Sequence, residues 1–333
     1  DDATHPRARS HVSMPRPSVG ASVFLPGAVP ILAALHLHVA PIHPMASPSR
    51  SDALLGIVQL LRPLNFVLFL AGVALGGVLG AGAEAFEGAS GRALMWAMAS
   101  AACLGGAANA INDVYDLAID RVNRPGRPLP SGAVTVRTAT SVAIALAVLS
   151  VVLAAGVSRT HVLVAAATGG LLWLYSASLK RLPVVGNLAV SMVLGLALVY
   201  GGLAVGLSDA VLVGAAFAFL TTWAREGAKD LEDVVGDAAD GAQTLPLVTS
   251  PRTAAWVCLA VLAATLAVLP VPVFIPALGL PFLAFGLPAA GLLLAAAWHL
   301  LAPDPTTDAG QASALLKAAM VAGVMALAFA RLA

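Results

Sequence analysis

Nine apolar stretches, each about long enough to cross a bilayer, leave this chain little choice of fold. They fall near residues 54–79, 93–111, 138–156, 161–178, 184–206, 210–227, 254–269, 278–301 and 312–332. Hydrocarbon offers no water to bond a free N–H or C=O, so a spanning segment must satisfy its own backbone, and runs of about 20 apolar residues do so as helices. Composition agrees, because only 11% of the 333 residues are charged, against about a quarter in a soluble domain. The expected fold is all-α, a polytopic membrane protein with about nine transmembrane helices bundled around a central cavity. Pro270, Pro272, Pro276, Pro281 and Pro288 crowd the seventh and eighth segments and are expected to kink or break them. Gly72, Gly76 and Gly80, like Gly202 and Gly206, recur at four-residue spacing and read as close helix packing.

Residues 1–51 stand apart from this pattern. Arg7, Arg9 and Arg16 precede a short apolar run broken by Pro26 and Pro30, which suits a disordered or dispensable leader better than a cleaved targeting segment. The division expected is a leader, 1–51, and a membrane domain, 52–333. The two cysteines, Cys103 and Cys258, lie in apolar runs and read as buried thiols. A net charge of +1 gives no reason to expect a nucleic-acid partner.

Position says more than net charge. Arg121, Arg124, Arg127 and Arg137 follow the second span, Lys180 and Arg181 the fourth, and Lys229 and Arg252 the sixth, whereas the opposite connections offer Arg92 and Arg159. By the positive-inside rule the even-numbered connections face the cytoplasm.

At that face the second span ends in NDVYDLAIDRVNRPGRPLPSG, residues 112–132. Asn112, Asp116 and Asp120 recur every fourth residue and form one stripe on a helix of about 100° per residue. A helix C-terminus disfavours anions, and a carboxylate near the membrane core costs about 3 kcal/mol unless water or a cation reaches it. The stripe therefore calls for a positive partner. The sixth span ends in a second charged stretch, REGAKDLEDVVGDAADGAQTLP, where Asp230, Asp233 and Asp237 share a helical face. An even number of crossings separates the two, so both emerge on one side of the membrane.

Carboxylates gathered at one mouth repel unless a cation holds them together. Oxygen donors without a histidine or cysteine cluster suit Mg²⁺, which binds through a few carboxylates, waters and substrate phosphates. The same face carries Arg121, Arg124, Arg127, Lys180, Arg181 and Lys229, able to neutralise a phosphate or diphosphate. Polar mouth and apolar bundle together fit a ligand with an anionic head and a hydrocarbon tail. A transporter would spread its charges through the bundle depth, and a scaffold would need no acidic triads. Arg62 and Asn65, at the start of the first span, read as interfacial anchors or as site residues. Trp173 and Tyr175 fall where aromatic belts form, and His161 and His299 read as interfacial or packing residues.

These residues resemble the UbiA-type intramembrane prenyltransferases. Asn112, Asp113, Asp116 and Asp120 match their N-D-x-x-D-x-x-x-D signature, and Asp230, Asp233 and Asp237 match D-x-x-D-x-x-x-D. Tyr175 to Arg181, followed by Gly186 and Asn187, is similar to the family's linker after helix four. Within the family, Asp113 to Ser131 and Arg225 to Asp237 look most like the enzymes that transfer geranylgeranyl to geranylgeranylglyceryl phosphate, with chlorophyll synthases and quinone-pathway aromatic prenyltransferases as alternatives. The resemblance implies that Asp116, Asp120, Asp230, Asp233 and Asp237, assisted by Asn112, hold Mg²⁺ on a prenyl diphosphate, and that Asp113 belongs to the catalytic set. It implies substrate binding by Arg62, Asn65, Arg121, Arg127, Tyr175, Lys180 and Lys229, a lipophilic acceptor, and a multi-pass plasma-membrane enzyme with its site facing the cytoplasm.

Overall fold

A computed structural model describes residues 50–239 and 241–333. The expected leader lies outside the described residues except for Arg50 and Ser51, which open the first helix. In chain order the helices are α1 (Arg50–Leu61), α2 (Pro63–Ala81), α3 (Gly88–Tyr115), α4 (Leu117–Asn123), α5 (Val136–Ala155), α6 (Arg159–Ala177), α7 (Val185–Val205), α8 (Asp209–Glu232), α9 (Val234–Ala239), α10 (Leu245–Val248), α11 (Pro251–Val268), α12 (Leu283–Leu300) and α13 (Ala309–Leu332). No strand occurs among the described residues.

Among the described residues, eight segments are long and apolar enough to cross a membrane. The ninth expected span is α8, which has 24 residues but carries Arg225, Glu226, Lys229, Asp230 and Glu232 in its last two turns. Its apolar first part completes the bundle; its charged end is the second acidic motif.

Departures from a plain series of spans follow from proline. The first span divides at Arg62, because the ring of Pro63 disfavours helical geometry in the residue before it. Arg62 adopts φ 52°, ψ 80°, and α2 starts afresh at Pro63. Pro270, Pro272, Pro276 and Pro281 fall in the 3₁₀ turns and connection between α11 and α12, while Pro288 is retained inside α12.

The chain closes into a ring. α2 packs on α3 and α7, α3 on α5 and α6, α7 on α8, α8 on α11 and α13, α12 on α13, and α13 returns to α2. The α2–α7 crossing needs glycine on both sides: a Cβ on Gly76 would stand 2.0 Å from the Leu198 carbonyl oxygen, and one on Gly201 1.9 Å from that of Val73. The expected packing role of Gly76 is thereby met, with Gly201 as its counterpart.

Candidate active site

Both acidic motifs straddle a bend. α3 ends at Tyr115, Asp116 takes φ −89°, ψ 0°, and α4 resumes at Leu117. α8 ends at Glu232, Asp233 takes φ −91°, ψ 5°, and α9 resumes at Val234. The single continuous helical stripe expected for Asn112, Asp116 and Asp120 is thus bent at its middle aspartate. Hydrogen bonding nevertheless runs through each bend, from the Asp116 N–H to the Asn112 carbonyl (2.9 Å) and from the Asp120 N–H to that of Asp116 (2.8 Å). Asp233 and Asp237 repeat the pattern on Lys229 and Asp233 at 2.9 and 2.8 Å. A bend that keeps the four-residue bonding leaves no trace in residue spacing.

In the first motif every aspartate meets a base from elsewhere in the chain. Asp113, 4% exposed, pairs with Arg62 and, at 3.5 Å, with Arg127. Arg127 also donates to Asp120 at 2.6 Å, and Asp120 is 5% exposed. Lys180 pairs with Asp116 and donates to the Asn112 amide oxygen at 3.3 Å, while the Asn112 amide donates to Asp116 at 2.8 Å. Arg62 is thus paired with an aspartate of the first motif and does not stand alone at the interface. Asn65 donates to Asn109 at 3.4 Å, and Asn109 donates to the Leu61 carbonyl at 3.0 Å, tying the α1–α2 break to α3. Arg121 is exposed on α4, outside these pairs.

The second motif is held more locally. Lys229 and Asp233, one helical turn apart, sit 3.5 Å from each other, and both are about half exposed. Arg225 pairs with its neighbour Glu226 at 2.5 Å. Asp230 receives a 2.7 Å hydrogen bond from Asn187 on α7. The linker signature contains Asn187 without indicating this partner, and the sequence signal for Asn109 is an amide on an otherwise apolar helical face, four residues before Asp113.

One segment serves both motifs. Tyr175 on α6 lies within electrostatic reach of Asp116, Asp230 and Glu226. Lys180, in the 3₁₀ turn Leu179–Arg181, reaches the first motif, and Asn187 reaches the second. Between them Val184 adopts φ 65°, a rare conformation for a β-branched residue, costing about 1–3 kcal/mol. Arg62 and Val184 are the non-glycine residues with positive φ among the described residues, and both flank the polar cluster. Gly186 lets the turn close, since its Cβ would fall 3.0 Å from the Leu179 carbonyl oxygen and 3.1 Å from the Lys180 Cα.

Inward from this cluster, α2, α3, α6 and α7 enclose a narrow apolar slot lined by Phe69, Val73, Leu104, Leu172, Val193 and Tyr200, among others. At its far end the Tyr200 hydroxyl meets Ser100 Oγ at 2.9 Å, and Ser100 donates to the Ser150 carbonyl at 2.8 Å. On α7 the slot runs from Val193 to Tyr200, seven residues or about 10 Å at 1.5 Å per residue. His161, 1% exposed, bonds Ser158 and the Tyr200 carbonyl and is a packing residue.

The donor set suits Mg²⁺ in its chemistry, being carboxylate and amide oxygens without histidine. As they stand, no three acidic, histidine or cysteine side chains converge on one point among the described residues. The first-motif carboxylates are turned to Lys180, Arg62 and Arg127 instead, so they already face cations.

The fold and this cluster define a class, a helical bundle of membrane-spanning length with a charged cluster at its helix ends and an apolar slot between its helices. Residues 69–323 match the sequence model of the UbiA prenyltransferase family, and the chain belongs to that family. It is 40% identical over 271 residues to the digeranylgeranylglyceryl phosphate synthase of Methanopyrus kandleri, covering 81% of this chain and 96% of that one. It is 39% identical over 281 residues to the synthase of that name from Natronomonas pharaonis, covering 84% and 97%. A solved structure concerned with digeranylgeranylglyceryl phosphate synthase in membranes superposes with a TM-score of 0.76 at 24% identity, over 84% of this chain and 99% of that one. A UbiA homologue from Archaeoglobus fulgidus bound to GPP and Mg²⁺ gives 0.62 at 23% identity, over 81% and 99%. The expected all-α bundle is the fold these structures share.

Proposed function

We propose that this enzyme transfers a geranylgeranyl group from geranylgeranyl diphosphate to the hydroxyl of geranylgeranylglyceryl phosphate, within the membrane and at its cytoplasmic side. The observation that carries the reading is the cross-braced cluster of Asp113, Asp116 and Asp120 with Arg62, Arg127 and Lys180, in a bundle that also holds an apolar slot among α2, α3, α6 and α7. Relatives named digeranylgeranylglyceryl phosphate synthase that match over most of both chains support this donor and acceptor. The site's end of the bundle carries Arg121, Arg124, Arg127, Lys180, Arg181 and Lys229, which supports the cytoplasmic side.

Asp116, Asp120, Asp230, Asp233 and Asp237, with Asn112, are the residues that would hold Mg²⁺. When bound, the metal neutralises diphosphate oxygens and makes the diphosphate a better leaving group. Lys180 and Arg127 neutralise negative charge as the allylic carbon–oxygen bond breaks, and Lys229 adds a third cation from the second motif. Tyr175 stands between the motifs, where the prenyl carbon and the acceptor oxygen meet. The slot takes the hydrocarbon chain and keeps water from the allylic cation, so that the acceptor oxygen bonds the allylic carbon while its hydroxyl proton passes to the released diphosphate.

The test is a product assay in detergent with Mg²⁺, labelled geranylgeranyl diphosphate, and either geranylgeranylglyceryl phosphate or an aromatic quinone precursor. Labelled digeranylgeranylglyceryl phosphate is the expected product; transfer to the aromatic acceptor alone, or to neither, overturns the reading.

A further inference from the structure

Three arginines of the site face two clefts at once. Arg62, Arg124 and Arg127 line one cleft with Asn112, Asp116 and Asp120, about 360 Å³ in volume, and a second with Gln59 and Asp113, about 500 Å³. The first is the carboxylate-rich side already assigned to the diphosphate. The second holds the same three guanidiniums against Asp113; with Arg62 paired to Asp113 and Arg127 to Asp120, the positive charge that no carboxylate answers is that of Arg124.

Its walls are fixed by structure. Leu60 of α1 packs with Leu129 and Val134 of the connection after α4 on Ala110 and Ile111 of α3, so α1 and the arginine-bearing turn are parts of one small core. Backbone bonds lock that turn: Arg124 N–H to the Asp120 carbonyl at 2.8 Å, Arg127 N–H to that of Arg124 at 3.0 Å, and Ser131 N–H to that of Arg127 at 2.9 Å. Asp113 at the base accepts from both Arg62 and Arg127 through one oxygen, which sets the two guanidiniums side by side. Each guanidinium has five N–H donors, so both retain donors for the cleft. Arg124 is exposed, and no ion pair engages it among the described residues.

We propose that this second cleft binds the phosphate of the acceptor, with Arg124 and Gln59 as its specificity-determining residues and Arg62 and Arg127 shared with the diphosphate side. A phosphomonoester carries a charge of about −1.5 to −2 at neutral pH and three acceptor oxygens, which suits the unpaired Arg124 together with the donors left on Arg62 and Arg127. The inference rests on the proposed reaction and names what the site reads in its acceptor. The arginine wall then holds two anionic heads on opposite faces, which brings the acceptor hydroxyl toward the diphosphate while keeping the phosphate out of the carboxylate set.

Initial rates of the full chain in detergent test this, with geranylgeranyl diphosphate as donor and either geranylgeranylglyceryl phosphate or its dephosphorylated alcohol as acceptor. The wild type is expected to prefer the phosphate by about 100-fold in kcat/KM. Arg124→Ala should raise the KM of the phosphorylated acceptor about tenfold, a clearly larger loss than any it causes in the donor KM or in transfer to the alcohol. Gln59→Ala should act in the same direction more weakly, and Arg124→Lys should recover part of the loss. Thermal unfolding of each variant separates misfolding from lost recognition. Equal losses with both acceptors, a donor KM rising in step, or unchanged kinetics overturns the cleft assignment. Equal wild-type use of both acceptors sinks the cleft alone, whereas transfer to neither sinks the proposed reaction itself.

Discussion

The two acidic motifs bend their helices at the same step but hold their carboxylates differently. Asp113, Asp116 and Asp120 are braced by Arg62 from the α1–α2 break, Arg127 from the connection after α4, and Lys180 from the α6–α7 turn. In the second motif the ion pairs of Asp233 and Glu226 come from their own helix, with Lys229 and Arg225, and Asp230 takes a hydrogen bond from the amide of Asn187 on α7. Formation of the first constellation thus depends on the bundle being assembled, whereas the second is largely carried by α8 and α9. A braced half is preorganised for anionic heads, and a locally held, half-exposed half is free to reorient around an incoming cation.

The widest test of this contrast compares Asp116→Asn with Asp233→Asn. Each is expected to lower Mg²⁺-dependent kcat by about 10³-fold or more, since each removes a ligand charge at the diphosphate. Stability should separate them. Losing Asp116 leaves Lys180, 15% exposed, without its counter-ion, and should lower unfolding stability by about 1–2 kcal/mol. Losing Asp233 breaks a half-exposed pair one turn long and should cost less than about 0.5 kcal/mol. Thermal unfolding in detergent reads both; equal destabilisation would erase the distinction, and wild-type turnover by either variant would remove its carboxylate from the site.

Much of this was legible in the sequence because membrane spans and acidic triads are written in local composition. Apolar runs located the helices, and crossing parity put both motifs on one side. Partners distant in sequence were not legible. That Arg62 meets Asp113 fifty-one positions away depends on the left-handed break before Pro63, which composition does not encode. The bends at Asp116 and Asp233 preserve the four-residue bonding and are invisible to periodicity. Asn109 and Asn187 escaped assignment because a single amide has no pattern of its own until the fold supplies what it bonds.

A smaller effect is expected where the shared segment is touched. Lys180→Ala should reduce kcat/KM for the donor about 100-fold, by withdrawing a cation from the departing diphosphate. Gly186→Ala keeps the lysine and moves it, because the new Cβ presses on the Lys180 backbone at 3.1 Å. A tenfold loss with the fold intact is the expected result, since a positioning error of a few tenths of an ångström weakens a charged contact without deleting it. Unchanged kinetics in Gly186→Ala would show that Lys180 needs no fixed turn.

The smallest effect concerns the bond from Asn187 on α7 to Asp230 of the second motif. Asn187→Ala removes the 2.7 Å donor from Asp230 but leaves α8 and α9 with their own ion pairs. A single hydrogen bond to a charged group contributes about 1.5–3 kcal/mol when buried, and partial exposure of Asp230 brings the expectation to the lower end. The predicted outcome is a three- to tenfold fall in kcat, an Mg²⁺ requirement shifted to higher concentration, and an unchanged donor KM at saturating metal. That pattern follows if Asn187 orients a carboxylate whose task is to meet a cation. A rise in donor KM with no change in metal dependence would instead place Asp230 among the groups that meet the lipid head. The two motifs would then no longer divide into a braced anion side and a mobile cation side.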